Sequence, residues 1–141
     1  MYEFDGKNWK DSHRDMKERR YRHSCVVVED QIIVVGGWDG RNYLKTSEIF
    51  NIQNRSWRSG PELPKGIVYA QLVKAREGMR YSAYLIGGHD DSNYLSSIYG
   101  LTKDLKRFDK IGDLEQARYK PVALTIPEDI IGRCDKTKQW I

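Results

Sequence analysis

Six residues of a ten-residue stretch of this chain recur after a shift of 51 positions, and that repetition constrains the fold more than any other feature. Val35-Gly36-Gly37-Trp38-Asp39-Gly40-Arg41-Asn42-Tyr43-Leu44 falls on Ile86-Gly87-Gly88-His89-Asp90-Asp91-Ser92-Asn93-Tyr94-Leu95 without a gap, keeping both glycines, Asp, Asn, Tyr and Leu. At the same offset Trp57 falls on Phe108 and Leu63 on Leu114. A shift of 48 superposes Tyr2-Glu3-Phe4-Asp5-Gly6-Lys7-Asn8-Trp9 on Phe50-Asn51-Ile52-Gln53-Asn54-Arg55-Ser56-Trp57. A fixed period of roughly 20–50 residues means stacked supersecondary units, each burying its apolar face against a neighbour.

The repeats divide the chain into four parts. Residues 1–20 are the end of a preceding unit and a connection, 21–66 and 67–116 are complete units, and 117–141 open a further, degenerate unit. Ala117–Leu124 resembles Arg19–Val26, but Ile130-Ile131-Gly132-Arg133 stands where a double glycine is expected. Inside a unit, short apolar or alternating runs alternate with turn residues, and no helical period is sustained. Four strands per unit are predicted: Ser24–Val28, Ile32–Gly36, Ser47–Asn51 and Ser56–Ser59, then Ala70–Lys74, Ser82–Gly87, Ser97–Thr102 and Arg107–Lys110. Asp5-Gly6 and Glu29-Asp30 read as tight hairpin turns, and Ala75–Arg80 as a longer loop.

A unit of this length, with a Gly-Gly pair closing an apolar strand and spaced aromatics behind it, resembles a kelch repeat. Ile33-Val34-Val35-Gly36-Gly37 through Tyr43, Ser47-Glu48-Ile49-Phe50, Trp57 and Gly60-Pro61-Glu62-Leu63-Pro64 are similar to a repeat of a metazoan kelch-like protein. The resemblance implies an all-β fold, a kelch-type β-propeller fragment of two four-stranded antiparallel blades plus partial flanking blades. A ring needs about four to eight blades, so two units cannot close one, and the chain is expected to be a fragment of a longer gene product. The repeat anchors are Gly36, Gly37, Tyr43, Trp57, Gly87, Gly88, Tyr94, Phe108 and Trp9. The glycines allow positive φ or close backbone approach, the bulky aromatics pack between or beside sheets, and the Tyr43 and Tyr94 rings are expected to be mostly buried.

At 141 residues the chain is one domain or part of one. Its net charge of +4 is spread along the sequence, which offers nucleic acid no concentrated basic face. No apolar run approaches the roughly 20 residues of a membrane span, and no secretory leader is evident, so no membrane partner and a cytoplasmic location are expected. Cys25 and Cys134 lie far apart and read as free thiols, while Asn54-Arg55-Ser56 reads as a turn. His13, His23 and His89 show no zinc-like spacing, phosphate-loop and nucleophile-elbow motifs are absent, and the expectation is no metal, no cofactor and no enzymatic activity.

What the resemblance implies about function is recognition. Kelch-like adaptors often place a residue facing the channel mouth about where Arg22 stands before Gly36; Lys120 matches it, with Val68 between them. The loops after the glycine pairs border the same mouth, which makes Trp38, Asp39, Gly40, Arg41 and Asn42, with His89, Asp90, Asp91, Ser92 and Asn93, candidate partner-binding residues. The expected activity is that of a non-catalytic protein interaction module, which the resemblance implies is the substrate-recognition part of a cullin-3 ubiquitin ligase adaptor. The expected partner is a protein or acidic peptide, with self-association through unclosed blade faces. Alternatives are an actin-binding kelch protein and a sugar-processing or oxidising enzyme of kelch architecture.

Overall fold

The computed structural model describes residues 1–12 and 14–126, and within them every regular element is a strand. A hairpin of β1 (Tyr2–Phe4) and β2 (Trp9–Asp11) precedes two four-stranded antiparallel meanders. The first holds β3 (Ser24–Val28), β4 (Gln31–Val35), β5 (Ser47–Asn51) and β6 (Ser56–Ser59) in that order. The second holds β7 (Gln71–Lys74), β8 (Tyr81–Ile86), β9 (Ser97–Thr102) and β10 (Phe108–Asp113) in the same order. The first strands of the two sheets, β3 and β7, adjoin, and the Ser24 hydroxyl on one donates to the Ala70 carbonyl just ahead of the other. These are the blades expected from the repeat, and residues 123–126 lie along the outer face of the second. Cys134 and the Ile130–Arg133 stretch lie outside the described residues.

Alternation decides which face each strand buries. In the first sheet Ile33, Val35 and Ile49 point one way and Ile32, Val34, Glu48 and Phe50 the other, through the pairings Ile33↔Ile49 and Ile32↔Phe50. Ala83, Leu85, Tyr99 and Leu101 of the second sheet join Ile33, Val35 and Ile49 in one buried cluster with Leu63, Ile67, Leu72 and Leu95. The core is therefore the seam between blades and not the interior of either one. Strand ends depart from expectation for a backbone reason: β4 and β8 stop one residue before Gly36 and Gly87, whose φ of 67° and 59° turns the chain out of the sheet. A bulge between Lys110 and Gly112 lets β10 run on to Asp113, three residues past the expected stop.

Candidate functional site

The double glycines build the frame. An added Cβ on Gly36 would lie 2.3 Å from the Ile67 carbonyl oxygen, and one on Gly87 would lie 2.8 Å from that of Arg118. Into the space so freed the next unit docks its backbone: Gly37 N–H donates to Ile67 O at 2.8 Å, and Gly88 N–H to Arg118 O at 2.8 Å. Leu44 and Leu95 close each loop by donating to Gly37 O and Gly88 O, and return bonds run from Ile67 and Arg118 to Leu44 O and Leu95 O. One hydrogen-bond mesh thus appears twice, once per joint.

The residue after each glycine pair is tied to the start of its own unit. Trp38 exchanges backbone bonds with Tyr21, and His89 with Val68. That register makes Tyr21 equivalent to Val68, so the counterpart of Arg22 and Lys120 in the second unit is Tyr69. This corrects the sequence alignment, which put Val68 there; Val68 is an interior residue, 2% exposed. Arg22, Tyr69 and Lys120 share a left-handed backbone, with φ of 61°, 56° and 52°, and Tyr69 N–H donates to Arg22 O at 2.9 Å.

Around this trio the side chains form a connected ladder. The Arg22 guanidinium sits 5.1 Å from the Tyr69 ring centre and 5.1 Å from that of Tyr21. The Lys120 ammonium sits 4.5 Å from Tyr69 and 5.1 Å from Tyr119. Tyr119 meets Tyr69 edge to face at 4.8 Å and also touches Tyr94 and His89. His89 continues to Tyr43, and Tyr43 to Trp38 at 4.9 Å. The ladder therefore joins Arg22, Lys120, Trp38 and His89 from the sequence-selected set, along with three tyrosines that reasoning from sequence missed: Tyr21, Tyr69 and Tyr119. The available signal was the Tyr-Arg and Tyr-Lys dipeptides at 21–22 and 119–120. Partial desolvation against the neighbouring rings, and then its bond to Tyr69, raise the Tyr119 phenol above its ordinary value.

The remaining loop residues act on the loops themselves. Asp39 Oδ1 accepts from the backbone of Arg41 and Asn42 at 2.6 and 2.7 Å, and Asp90 Oδ1 from Ser92 and Asn93 at 3.0 and 2.7 Å. The Asn42 amide adds a bond to Asp39 Oδ2. These backbone donors, Asn42 first, lower the Asp39 carboxyl below its ordinary value. Lys65 Nζ, 2.5 Å from Asp90 Oδ2, is the main reason the Asp90 carboxyl is lowered to about 2. Arg41, Asp91 and Asn93 are exposed at the loop tips, outside the ring-to-ring contacts.

Two of the expected anchors are open to water. Tyr94 is 61% exposed while Tyr43 is half-buried, because Gly66 backs Tyr43 and His89 of the following unit lies against it, whereas beyond His89 of its own loop Tyr94 meets only the Tyr119 ring among the described residues. Trp9 is 70% exposed, stacked only on Phe4 at 5.1 Å, because no further strand pairs with the β1–β2 hairpin among the described residues. Trp57 is half-buried on Phe50, on the face turned away from the second blade, and its indole N–H donates to Arg14 O at 3.1 Å. Phe108 packs against the inter-blade core.

Residues 19–64 match the family model of the Kelch motif. The chain is 25% identical over 114 residues to Kelch repeat-containing protein kel-10 of Caenorhabditis elegans, covering 80% of this chain and 20% of that protein. It is 24% identical over 113 residues to the Kelch repeat and BTB domain-containing protein F47D12.7 of the same organism, at 79% and 20% coverage. Kelch-like protein 35 of Mus musculus is 29% identical over 73 residues, 52% of this chain and 12% of its own length. The match covers one kelch motif, and the chain folds as two antiparallel four-stranded sheets consistent with kelch blades of a β-propeller. It spans about a fifth of the length of the first two relatives.

Proposed function

We propose that this chain is a non-catalytic, cytoplasmic protein-binding module and that its tyrosine–cation ladder takes an acidic segment of a partner protein. The observation that supports this most is the meeting of Arg22 and Lys120, from units almost a hundred residues apart, on one tyrosine ring. Cations held on a rigid β scaffold can meet carboxylates through charge-assisted bonds. Asp39, Arg41, Asn42, Asp90, Asp91 and Asn93 border that surface as secondary contacts. The name of the nematode relative that couples kelch repeats to a BTB domain favours the substrate-recognition part of a cullin-3 ubiquitin ligase adaptor over actin binding.

Panning a peptide library on the full chain tests this reading. Selected peptides should be acidic, and Arg22→Ala or Lys120→Ala should each weaken binding by about 1–3 kcal/mol. Peptides without acidic bias, or affinity insensitive to both substitutions, would overturn it. Cosedimentation with filamentous actin should leave the chain in the supernatant.

A further inference from the structure

We infer that Tyr69 is the positioning residue of this surface, setting Arg22 and Lys120 as a pair that selects two carboxylates on one side of an extended segment. The inference rests on the acidic-segment reading above and adds to it a residue and a ligand spacing. Arg22 and Lys120 are both exposed, and long cationic side chains in water sample many rotamers unless something holds them. Here the backbone of each leaves in the left-handed conformation, which fixes its starting direction. One ring then draws both heads in, the guanidinium to 5.1 Å and the ammonium to 4.5 Å. The electron-rich ring offsets the repulsion between two like charges brought near each other, which an aliphatic side chain cannot do.

Tyr69 is itself held. Its N–H bonds to Arg22 O, and the Tyr119 ring braces it at 4.8 Å and 70° while facing the same ammonium. Since each cation lies about 5 Å from one ring centre, the two are within roughly 10 Å of each other. In an extended peptide, residues i and i+2 project to the same side about 7 Å apart, within that span, whereas adjacent residues project to opposite sides. A Glu-x-Glu segment fits the pair better than a single acid.

Two measurements on the full chain test this. In carbon–proton spectra the Lys120 ε-methylene and Arg22 δ-methylene protons should be shifted upfield by the ring, should stay so in Tyr69→Phe, and should return to ordinary positions in Tyr69→Asn. Asn is chosen because it tolerates the left-handed backbone, and retained amide dispersion of the strands shows that the variant is folded. Synthetic peptides containing Glu-Gly-Glu or Glu-Gly-Gly are then titrated. The wild type and Tyr69→Phe should prefer the diacid, and Tyr69→Asn should lose about five- to twentyfold in affinity for it, down to the level of the monoacid. Unshifted methylene protons in the wild type overturn the inference. So does a Tyr69→Asn variant that binds the diacid normally while Arg22→Ala and Lys120→Ala still weaken it, and in that case the acidic-segment reading stands. If neither cation substitution changes diacid binding, that reading fails and the inference falls with it.

Discussion

Gly36, Gly40 and Gly66 are three glycines with three different physical requirements. Gly40 has φ of 107° and open space around its Cα, so Gly40→Ala meets only backbone strain, about 1–2 kcal/mol. Gly66 has no positive φ, but an added Cβ would lie 2.2 Å from Tyr43 O, a backbone atom that cannot swing away. Gly66→Ala should therefore cost more than Gly40→Ala, roughly 2–4 kcal/mol, although Gly66 belongs to no glycine pair. Gly36 combines both penalties and should be the least replaceable of the three. Denaturant midpoints of the three alanine variants give this order directly, and a Gly66→Ala protein as stable as Gly40→Ala would show that the joint yields to close approach.

Strands β5 and β8 occupy different places in their blades, and each is held by charge in a way the repeat does not announce. On β5, Glu48 is 3% exposed and accepts Arg20 Nη2 at 2.8 Å along with the backbone N–H of Lys17 and Glu18. Arg20, its side chain fully buried, also donates to Gly36 O and Thr46 O. This latch straps the segment before β3 onto the first blade, and reading residues 1–20 as the end of a unit and a connection left it unforeseen. Arg20→Ala leaves a buried carboxylate and two carbonyls without that donor and should cost about 3–5 kcal/mol in urea unfolding. Beyond β8, the loop carrying Asp90 is clamped by Lys65. The Asp90 carboxyl is lowered from its ordinary 3.8 to about 2, so the clamp's contribution is complete above pH about 4 and is lost as pH falls through about 2. Unfolding measured between pH 5 and 2 should show a flatter decline for Asp90→Asn than for wild type, and more so at low salt because the pair is near the surface. Superimposable curves would mean the clamp carries no stability.

Considered whole, the molecule leaves apolar surface at both ends of its blade stack. Val122 and Leu124 are 89% and 69% exposed beside the outer face of the second blade, and Tyr2, Phe4 and Trp9 are open on the hairpin ahead of the first. Patches of this kind drive association. The 141-residue chain should scatter light as more than a monomer at tens of micromolar, and Trp9→Glu with Leu124→Glu should shift it toward monomer; a monodisperse wild-type monomer would contradict this. Trp57 holds the N-terminal segment to the first blade through Arg14, so Trp57→Ala loosens that attachment. Half-buried rather than enclosed, it should cost about 2 kcal/mol rather than the 3–5 of a full core aromatic.

The 51-residue period, the apolar alternation and the turn residues were sufficient, read as sequence, to specify eight blade strands to within one residue at every end but the last of β10, and the glycine pairs as points of close backbone approach. Those features are local or periodic, and the physics behind them acts over a few residues: φ restrictions, side-chain alternation and hairpin geometry. What depended on tertiary structure was everything set by contact between units. Tyr69 rather than Val68 stands between Arg22 and Lys120 because hydrogen-bond register, not residue likeness, aligns the units. Arg20 reads as one charge in a basic run until Glu48, far along the chain, is folded against it. Tyr43 and Tyr94 are the same residue in the same motif, and they differ in exposure because burial is a property of what the next unit places over a ring.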